Sequence, residues 1–420
     1  MLARGDQSII WQQTTMTNPY LVQEIIDYTI DLLHDDPETL KRCCLVSKSW
    51  VPRTRKHLFS HIQFRSPSDL EAWKKTFTDV ANPPAYHVRT LVVGCPRFVT
   101  ASDAEEGGWI RAFSGVTSLE VNSVARYDHG VRTSDLSLVP FHEFSPTLKS
   151  LHLSSILLPY PALFDFILSF PLLEDLGLSG YQDPQFNGDR PHQPQPVITS
   201  TSPPLTGSLD FHLLGGAGDV ARRLLDLPGG LHFRKLALSR DQKADLWWIT
   251  ELVMRCSRTL ESLEIIHARR RTFIRICVRT DDSTLFQVDL ERGSFDLSMA
   301  TNLRDLVFRP ESQSAEWITM ALQTITPEHR DLQRISIHMP YYLTLLGVGV
   351  GKFLGEATCR EWSDLDRLLV QFWESRSIRP RVGCVRLGQK QQSTEYCIGC
   401  LLPEITKRGI FDSLLDHGDP

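Results

Sequence analysis

The stretch that decides the fold is residues 148–178, LKSLHLSSILLPYPALFDFILSFPLLEDLGL. It contains two hexamers of the form L-x-x-L-x-L, at 148–153 and 173–178, on either side of an apolar helical segment at 163–170. The alternating apolar residues of each hexamer predict a short strand with one buried face. A single strand cannot cover that face by itself, so the stretch predicts a unit that is repeated and stacked.

Similar hexamers recur along most of the chain. Further copies or partial copies lie at 88–93, 116–121, 209–211, 233–238, 260–265, 303–308, 332–337 and 382–387. Their central residues are mostly 25 to 33 residues apart, with two longer steps of 43 and 50. Leucine-rich repeats have a period of roughly 20–29 residues. The spacing therefore predicts an irregular leucine-rich-repeat solenoid of the α/β class, with short parallel strands and outer helices.

The segments between the hexamers predict how this solenoid is organised. Helical patterns occur at 163–170, 219–227, 244–256, 315–325 and 363–373. Residues 181–205 are rich in proline and predict an extended surface loop, and residues 271–290 predict an extra hairpin. We expect the solenoid to span 86–390 and a C-terminal helical cap to follow at 391–420.

The first 62 residues have a different character. Residues 1–17 are polar and aperiodic, which predicts a disordered tail. Residues 18–62 contain an apolar stripe at Leu21, Ile25, Tyr28 and Leu32, followed by a helix-start pattern at 36–38. Apolar residues lie on more than one helical face of this small unit. Two interpretations stay open: a helical docking module, or helices that cap the end of the solenoid.

The run at 18–59, NPYLVQEIIDYTIDLLHDDPETLKRCCLVSKSWVPRTRKHLF, resembles an F-box. The chain as a whole is similar to F-box proteins of mushroom-forming fungi, including the segment FDLSMATNLRDLVFRP at 295–310. The resemblance implies a three-helix module that docks on the Skp-type adaptor of a cullin–RING ubiquitin ligase. The residues that it implies for adaptor binding are Pro19, Ile25, Ile26, Leu40, Cys43, Leu45, Val46 and Trp50.

The function that follows is a non-catalytic subunit that recruits a protein substrate to the ligase. The alternative is a leucine-rich-repeat scaffold or inhibitor protein whose F-box-like helices only cap the solenoid. We expect the substrate to bind the concave, strand-bearing face, where the second, third and fifth residues of each hexamer point outward. The outward residues singled out are Glu174, Asp175, Lys235, Glu261, Glu264, Arg304 and Asp305. These charges could alternatively serve only to keep the exposed sheet soluble.

Composition excludes several other classes. The net charge of −5 and the mixed charges of the repeats lack the basic stripe of a nucleic-acid-binding protein. The apolar stretch at 154–173 contains Asp165 and three prolines, which excludes a membrane span. The nine cysteines form no disulfide pattern, and we expect a cytoplasmic or nuclear protein.

No catalytic or cofactor motif is complete. The glycine-rich run at 346–353 lacks the spacing and the Ser or Thr of a phosphate-binding loop. Cys397 and Cys400 have the spacing of only half a zinc site. The sequence therefore predicts no enzyme activity, no metal and no cofactor.

Overall fold

In a computed structural model, the described part of the chain is an α/β protein built on a single parallel sheet of twelve strands. The structure describes the following residues: 19–77, 84–94, 108–122, 138–155, 158, 160–180, 204–212, 217–240, 246–267, 296–310, 315–339, 356–384, 398–410 and 412–414. The predicted tail at 1–17, the hairpin at 271–290 and nearly all of the proline-rich loop lie outside these residues. Leu205, the last residue assigned to that loop, begins a strand instead.

Helices and strands follow each other along the whole described chain. The helices are α1 Pro19–Asp31, α2 Pro37–Val46, α3 Val51–Leu58, α4 Pro67–Thr76, α5 Gly108–Arg111, α6 Tyr160–Leu168, α7 Ala217–Leu225, α8 Leu246–Cys256, α9 Glu316–Gln323, α10 Glu356–Arg376 and α11 Pro403–Arg408. The strands are β1 His61–Phe64, β2 Thr90–Val93, β3 Ser118–Asn122, β4 Ser150–Ser154, β5 Asp175–Ser179, β6 Leu205–His212, β7 Leu231–Arg240, β8 Ser262–His267, β9 Asp305–Pro310, β10 Arg334–Met339, β11 Arg381–Cys384 and β12 Asp412–Leu414. Two 3₁₀ turns, Pro84–His87 and Val139–Phe144, precede β2 and β4.

The strands lie in the sheet in the order in which they occur in the chain, and each pairs in parallel with the next. The register matches the predicted repeat, because the central residues of successive hexamers are direct partners. These partners are Leu91, Leu119, Leu151, Leu176, Leu209, Leu236, Leu263, Leu306 and Ile335. Each is at most 1% exposed. The nine hexamers from β2 to β10 are therefore confirmed as strands, and so are the five predicted helices, α6 to α10.

The turns before many of the strands share a second feature. In five hexamers, the backbone carbonyl of the second residue accepts hydrogen bonds from two consecutive amides of the next copy; these residues are Arg89, Thr117, Lys149, Glu261 and Arg304. The Lys149 carbonyl, for example, accepts from the amides of Glu174 (2.7 Å) and Asp175 (2.9 Å). These bonds satisfy backbone groups that the short strands leave free. They hold successive turns at a constant spacing along the edge of the sheet.

One face of the sheet is buried and the other is partly exposed. In β3 and β4, buried and half-buried residues alternate strictly, because successive side chains of a strand point to opposite faces and only one face is covered here. The buried side chains join those of the connecting helices in one continuous apolar core, which includes Leu163, Val220 and Leu252. The opposite face carries the outward hexamer residues.

The predicted ends of the repeat array differ from the structure. β1 pairs with β2, so the predicted boundary at residue 62 falls within a strand, and β1 and α4 both precede residue 86. At the other end of the sheet, Val382 pairs with Ile337. Ile337 is the sixth residue of the hexamer at 332–337, whereas Val382 was predicted to be the first residue of its own hexamer. The hexamer predicted at 382–387 was therefore misaligned. The predicted helical cap contains α11 but also β12, which adds a strand to the sheet.

Candidate docking surfaces

The three N-terminal helices form a unit with a small interior. α3 packs against both α1 and α2. Ile30, Leu40, Cys43 and Thr54 are buried, and the Thr54 hydroxyl donates to the Trp50 carbonyl (2.7 Å). So small an interior leaves much of the surface of each helix uncovered by this unit.

Asp31, at the end of α1, ties α1 to α3. Its carboxylate accepts hydrogen bonds from two guanidinium nitrogens of Arg53, Nε (2.6 Å) and Nη2, and it lies 2.7 Å from Nε2 of His57. The hydrogen bonds from Arg53 are the main reason that the pKa of Asp31 is well below its usual range. The carboxylate is therefore ionised at neutral pH and fixes the angle between the two helices.

α2 begins with a well-formed cap. The carboxylate of Asp36 accepts from the Thr39 amide (3.0 Å) and the Thr39 hydroxyl (2.6 Å), with Pro37 at the first helical position. These two hydrogen bonds lower the pKa of Asp36. The cap confirms the helix start that the sequence predicts.

The outer surface of the unit exposes an unusual number of large apolar side chains. Two lie on α1, one directly after it and two at the end of α2: Ile25 (59% exposed), Tyr28 (66%), Leu32 (65%), Leu45 (88%) and Val46 (64%). We call these five residues the apolar helical surface. The apolar periodicity that the sequence shows in α1 therefore faces solvent. The opposite side of α1 is the buried one, and Ile30 lies on it.

The residues predicted to bind an adaptor fall into three groups. Ile25, Leu45 and Val46 lie on the apolar helical surface, and Ile26 and Trp50 are half-buried. Leu40 and Cys43 are buried inside the unit, at 1% and 6% exposure. A partner cannot contact these two in this conformation, because they form the interior that supports the surface. Pro19 begins α1, and its side chain lies outside the description. Tyr28 and Leu32 are exposed residues that the prediction did not include.

The charged residues predicted on the strand-bearing face point outward, as the hexamer pattern requires. Lys235, Glu174 and Arg304 are exposed, and the remaining four are partly exposed: Asp175, Glu261, Glu264 and Asp305. Several of them pair with charges on the next turn. Glu174 accepts from Lys149 (2.9 Å), Glu261 lies 3.9 Å from Arg304, Asp305 lies 3.5 Å from Arg334, and Glu264 pairs with Arg309. Five of the seven charges therefore already have an intramolecular partner, which favours the alternative in which they only keep the exposed sheet soluble.

The middle of this face is polar. The register places Gly177 between His152 and Asp210 on neighbouring strands. A Cβ atom on Gly177 would lie 2.1 Å from Nδ1 of His152, so the imidazole lies directly over the glycine. Asp210 pairs with His212 of the same strand (2.5 Å). A partner that contacted this face would meet histidine and carboxylate groups.

The described residues contain no arrangement typical of a metal site or a reactive nucleophile. In the ranges that the structure covers, no three His, Cys, Asp or Glu side chains could together hold a metal ion. Burial raises the pKa of the Cys256 thiol to about 11, so this thiol is protonated at neutral pH. Cys400 is exposed, while Cys397 and the glycine-rich run at 346–353 lie outside the described residues. None of the described helices combines the length and the apolar character needed to span a bilayer.

No protein-family model matches the chain, and no curated protein sequence matches it.

Proposed function

We propose that this protein is a non-catalytic, substrate-recruiting subunit of a Skp–cullin–F-box type ubiquitin ligase. The three N-terminal helices would be a divergent F-box that docks on the Skp-type adaptor. The sheet and its helices would be an irregular leucine-rich-repeat solenoid that presents a protein partner to the ligase. Such a protein would act in the cytoplasm or the nucleus.

The observation that carries this proposal is the apolar helical surface. Burying a Leu or Ile side chain that is otherwise exposed contributes roughly 1.5–3 kcal/mol. A soluble domain seldom leaves five large apolar side chains exposed on one small unit unless a partner covers them. The resemblance of residues 18–59 to an F-box supplies the identity of that partner, and the outward position of Leu45 supplies a side chain that can reach it.

The solenoid part of the proposal is supported by the sheet. Twelve parallel strands in chain order, with the central hexamer leucines in register, are what a stack of leucine-rich units would produce. The insertions between hexamers are longer and less regular than in a uniform repeat. An irregular array accounts for both features.

A second candidate function rests on the way the helices join the sheet. The carbonyl of Ser60, directly after α3, accepts hydrogen bonds from the amides of Arg89 (2.8 Å) and Thr90 (2.9 Å). The helical unit is thus continuous with the first strands and covers the start of the array. In this alternative the protein is a leucine-rich-repeat scaffold or inhibitor, and the helices are a terminal cap.

Calorimetric titration of the full chain with a purified Skp-type adaptor tests the proposal. Leu45→Ala should raise Kd at least tenfold, because truncating a buried interface anchor typically costs about 2 kcal/mol. The matched control is Leu172→Ala, another exposed leucine (48%) in the turn before β5, which should leave Kd unchanged. Circular dichroism checks that both variants are folded. No binding by the wild type, or equal Kd values for wild type and Leu45→Ala, would contradict adaptor docking and favour the scaffold.

A further inference from the structure

The charge of this protein is distributed very unevenly. Residues 37–94 contain ten Lys and Arg against four Asp and Glu, a local net charge of +6, whereas the whole chain carries −5. This basic region covers α2, α3, β1, α4 and β2. The excess of positive charge therefore lies where the helical unit meets the first strands.

Part of this charge is concentrated at the end of α3. Arg55 and Lys56 lie in its last turn, and both are exposed. α3 packs against the 3₁₀ turn Pro84–His87, and the hydrogen bonds from Arg89 and Thr90 to Ser60 hold the next residues beside the helix end. The fold thus brings two separate basic segments together.

His87 belongs to the 3₁₀ turn that packs against α3, so it lies near the basic end of that helix. Burial is the main cause that lowers the pKa of His87, and the positive charges of Arg89, Arg55 and Lys56 lower it further. We call Arg55, Lys56, His87 and Arg89 the basic cluster.

The structure leaves most of this charge uncompensated. On the same helix, Arg53 and His57 are engaged by Asp31. Neither Arg55 nor Lys56, by contrast, forms an ion pair with any residue that the structure describes. The guanidinium of Arg89 donates one hydrogen bond to the Gly115 carbonyl (2.8 Å), which is uncharged.

An ordinary structural role explains only part of the cluster. Cations in the last turn of a helix interact favourably with the helix dipole, which accounts for Arg55 and Lys56. It does not account for Arg89, which comes from a different segment and adds like charge to the same place. Like charges on neighbouring segments repel one another, so a bound anion would relieve this repulsion.

We propose that the basic cluster is a docking site for an anionic segment of a protein partner, one that bears phosphoryl groups or clustered carboxylates. Arg and Lys side chains bind both kinds of anion through charge-assisted hydrogen bonds. Tyr86, 52% exposed and adjacent to His87, offers an apolar contact at the edge of the site. This site is separate from the apolar helical surface, and the proposal does not depend on adaptor docking.

The shape of the charge distribution favours a protein segment over a nucleic acid. A nucleic acid requires a continuous basic path along its backbone. On the open face of the sheet, the strands that follow β2 present Glu120, then Asp175 and Asp210. These acidic residues interrupt any basic path along the later strands, whereas a short anionic segment needs only the basic cluster itself.

The test uses the full chain and short fluorescent peptides in anisotropy titrations. One peptide contains several phosphoserines, one contains consecutive glutamates, and one is uncharged. We expect at least one anionic peptide to bind, and its affinity to fall as salt is raised above about 0.1 M. Which anionic peptide binds more tightly identifies the source of the negative charge.

The decisive variant is Arg55→Glu with Lys56→Glu, which should raise Kd for the anionic peptide at least tenfold. The matched control, Arg258→Glu with Arg330→Glu, makes the same change in net charge at two exposed arginines outside the basic cluster and should leave Kd within twofold. Because the reversal places acidic residues at a helix C-terminus, Arg55→Gln with Lys56→Gln provides a milder variant, for which we expect an intermediate loss.

Three results would overturn the proposal. The first is equal binding of the anionic and uncharged peptides, or binding of none. The second is a loss in the reversed and neutral variants that is no larger than in the control. The third is tighter binding of a single-stranded RNA of matched charge, or of anionic vesicles, than of either anionic peptide.

Discussion

A buried carboxylate near the C-terminus gives the sharpest stability prediction. Asp366, on α10, is 1% exposed and accepts hydrogen bonds from the amides of Glu404 (2.6 Å) and Ile405 (3.1 Å) at the start of α11. Leu402 supplies no side-chain cap to this helix, and Pro403 has no N–H. The first turn of α11 has amide donors without a partner in their own helix. Asp366 accepts hydrogen bonds from them although it belongs to a different helix, α10.

Replacing Asp366 with alanine should lower the free energy of unfolding by about 2–4 kcal/mol. Hydrogen bonds to a charged group contribute about 1.5–3 kcal/mol each, and the cost of burying the carboxylate offsets part of the sum. Asp366→Asn keeps one acceptor oxygen and should lose about 1–2 kcal/mol. The control is Asp364→Ala, an exposed aspartate on the same helix, with an expected change below about 0.5 kcal/mol.

The assay is guanidinium unfolding, combined with hydrogen exchange of the amides of Glu404 and Ile405. Both amides should exchange much faster in Asp366→Ala, because their acceptor is gone. A change in unfolding free energy no larger than that of Asp364→Ala, with protection at both amides retained, would refute the reasoning.

The pH dependence gives an independent check on Asp366. Burial raises the pKa of this carboxyl above its ordinary value of 3.8. The folded state therefore binds the proton more tightly than the unfolded state. The contribution of this group to stability is greatest below 3.8 and falls as pH rises through the raised pKa. Asp366→Asn should lack that fall, so its deficit relative to wild type should shrink as pH rises across this window.

Two further predictions concern a close backbone approach and an ion pair. Gly207→Ala should lower the unfolding free energy by at least about 2 kcal/mol, because φ is +79° and a Cβ would lie 1.9 Å from the Glu174 carbonyl oxygen. Gly409→Ala is the control in thermal unfolding: its φ is +62° but nothing lies within 4 Å, so about 1 kcal/mol is expected, and equal losses would contradict the clash. Asp31→Asn should destabilise α1 by about 1–2 kcal/mol through loss of the Arg53 pair, measured by hydrogen exchange in α1. Because the pKa of Asp31 is lowered, its contribution to the free energy of unfolding is complete above pH 3.8 and disappears as pH falls through the lowered pKa. An equal loss of stability on acidification in wild type and Asp31→Asn would contradict this.

The repeat was predictable because its signal is local and recurs. Each hexamer encodes its own strand through alternation, and nine successive copies place their central residues in register. The misaligned copy at 382–387 shows where this logic fails. There the strand lies at Arg381–Cys384, and the register puts Pro380 at the position that leucine occupies in the other hexamers. Because that leucine is replaced, a search for the leucine pattern does not align with this strand. β1 and β12 were not predicted, because neither strand contains the full hexamer pattern.

The surfaces were less predictable than the strands. Periodicity located an apolar stripe on α1, but it could not distinguish a buried stripe from an exposed one. Packing decided that, because α1 turns Ile30 inward and leaves Ile25 and Tyr28 in solvent. Leu40 and Cys43 fit a sequence motif equally well whether they contact a partner or fill the interior. Only the three-dimensional arrangement shows that they are buried.

The sequence by itself determined the α/β class, the strand-forming hexamers and the outward direction of their charged residues, since all of these depend on neighbours within a few positions. Tertiary structure alone decided which distant groups meet. Asp366 reaches amides 38 and 39 residues away, and the basic cluster joins Arg55 to Arg89 across a helix, a strand and a turn. Such contacts depend on how the chain packs over long separations, and hydrogen bonds and charges at those distances have no periodic signature in the sequence.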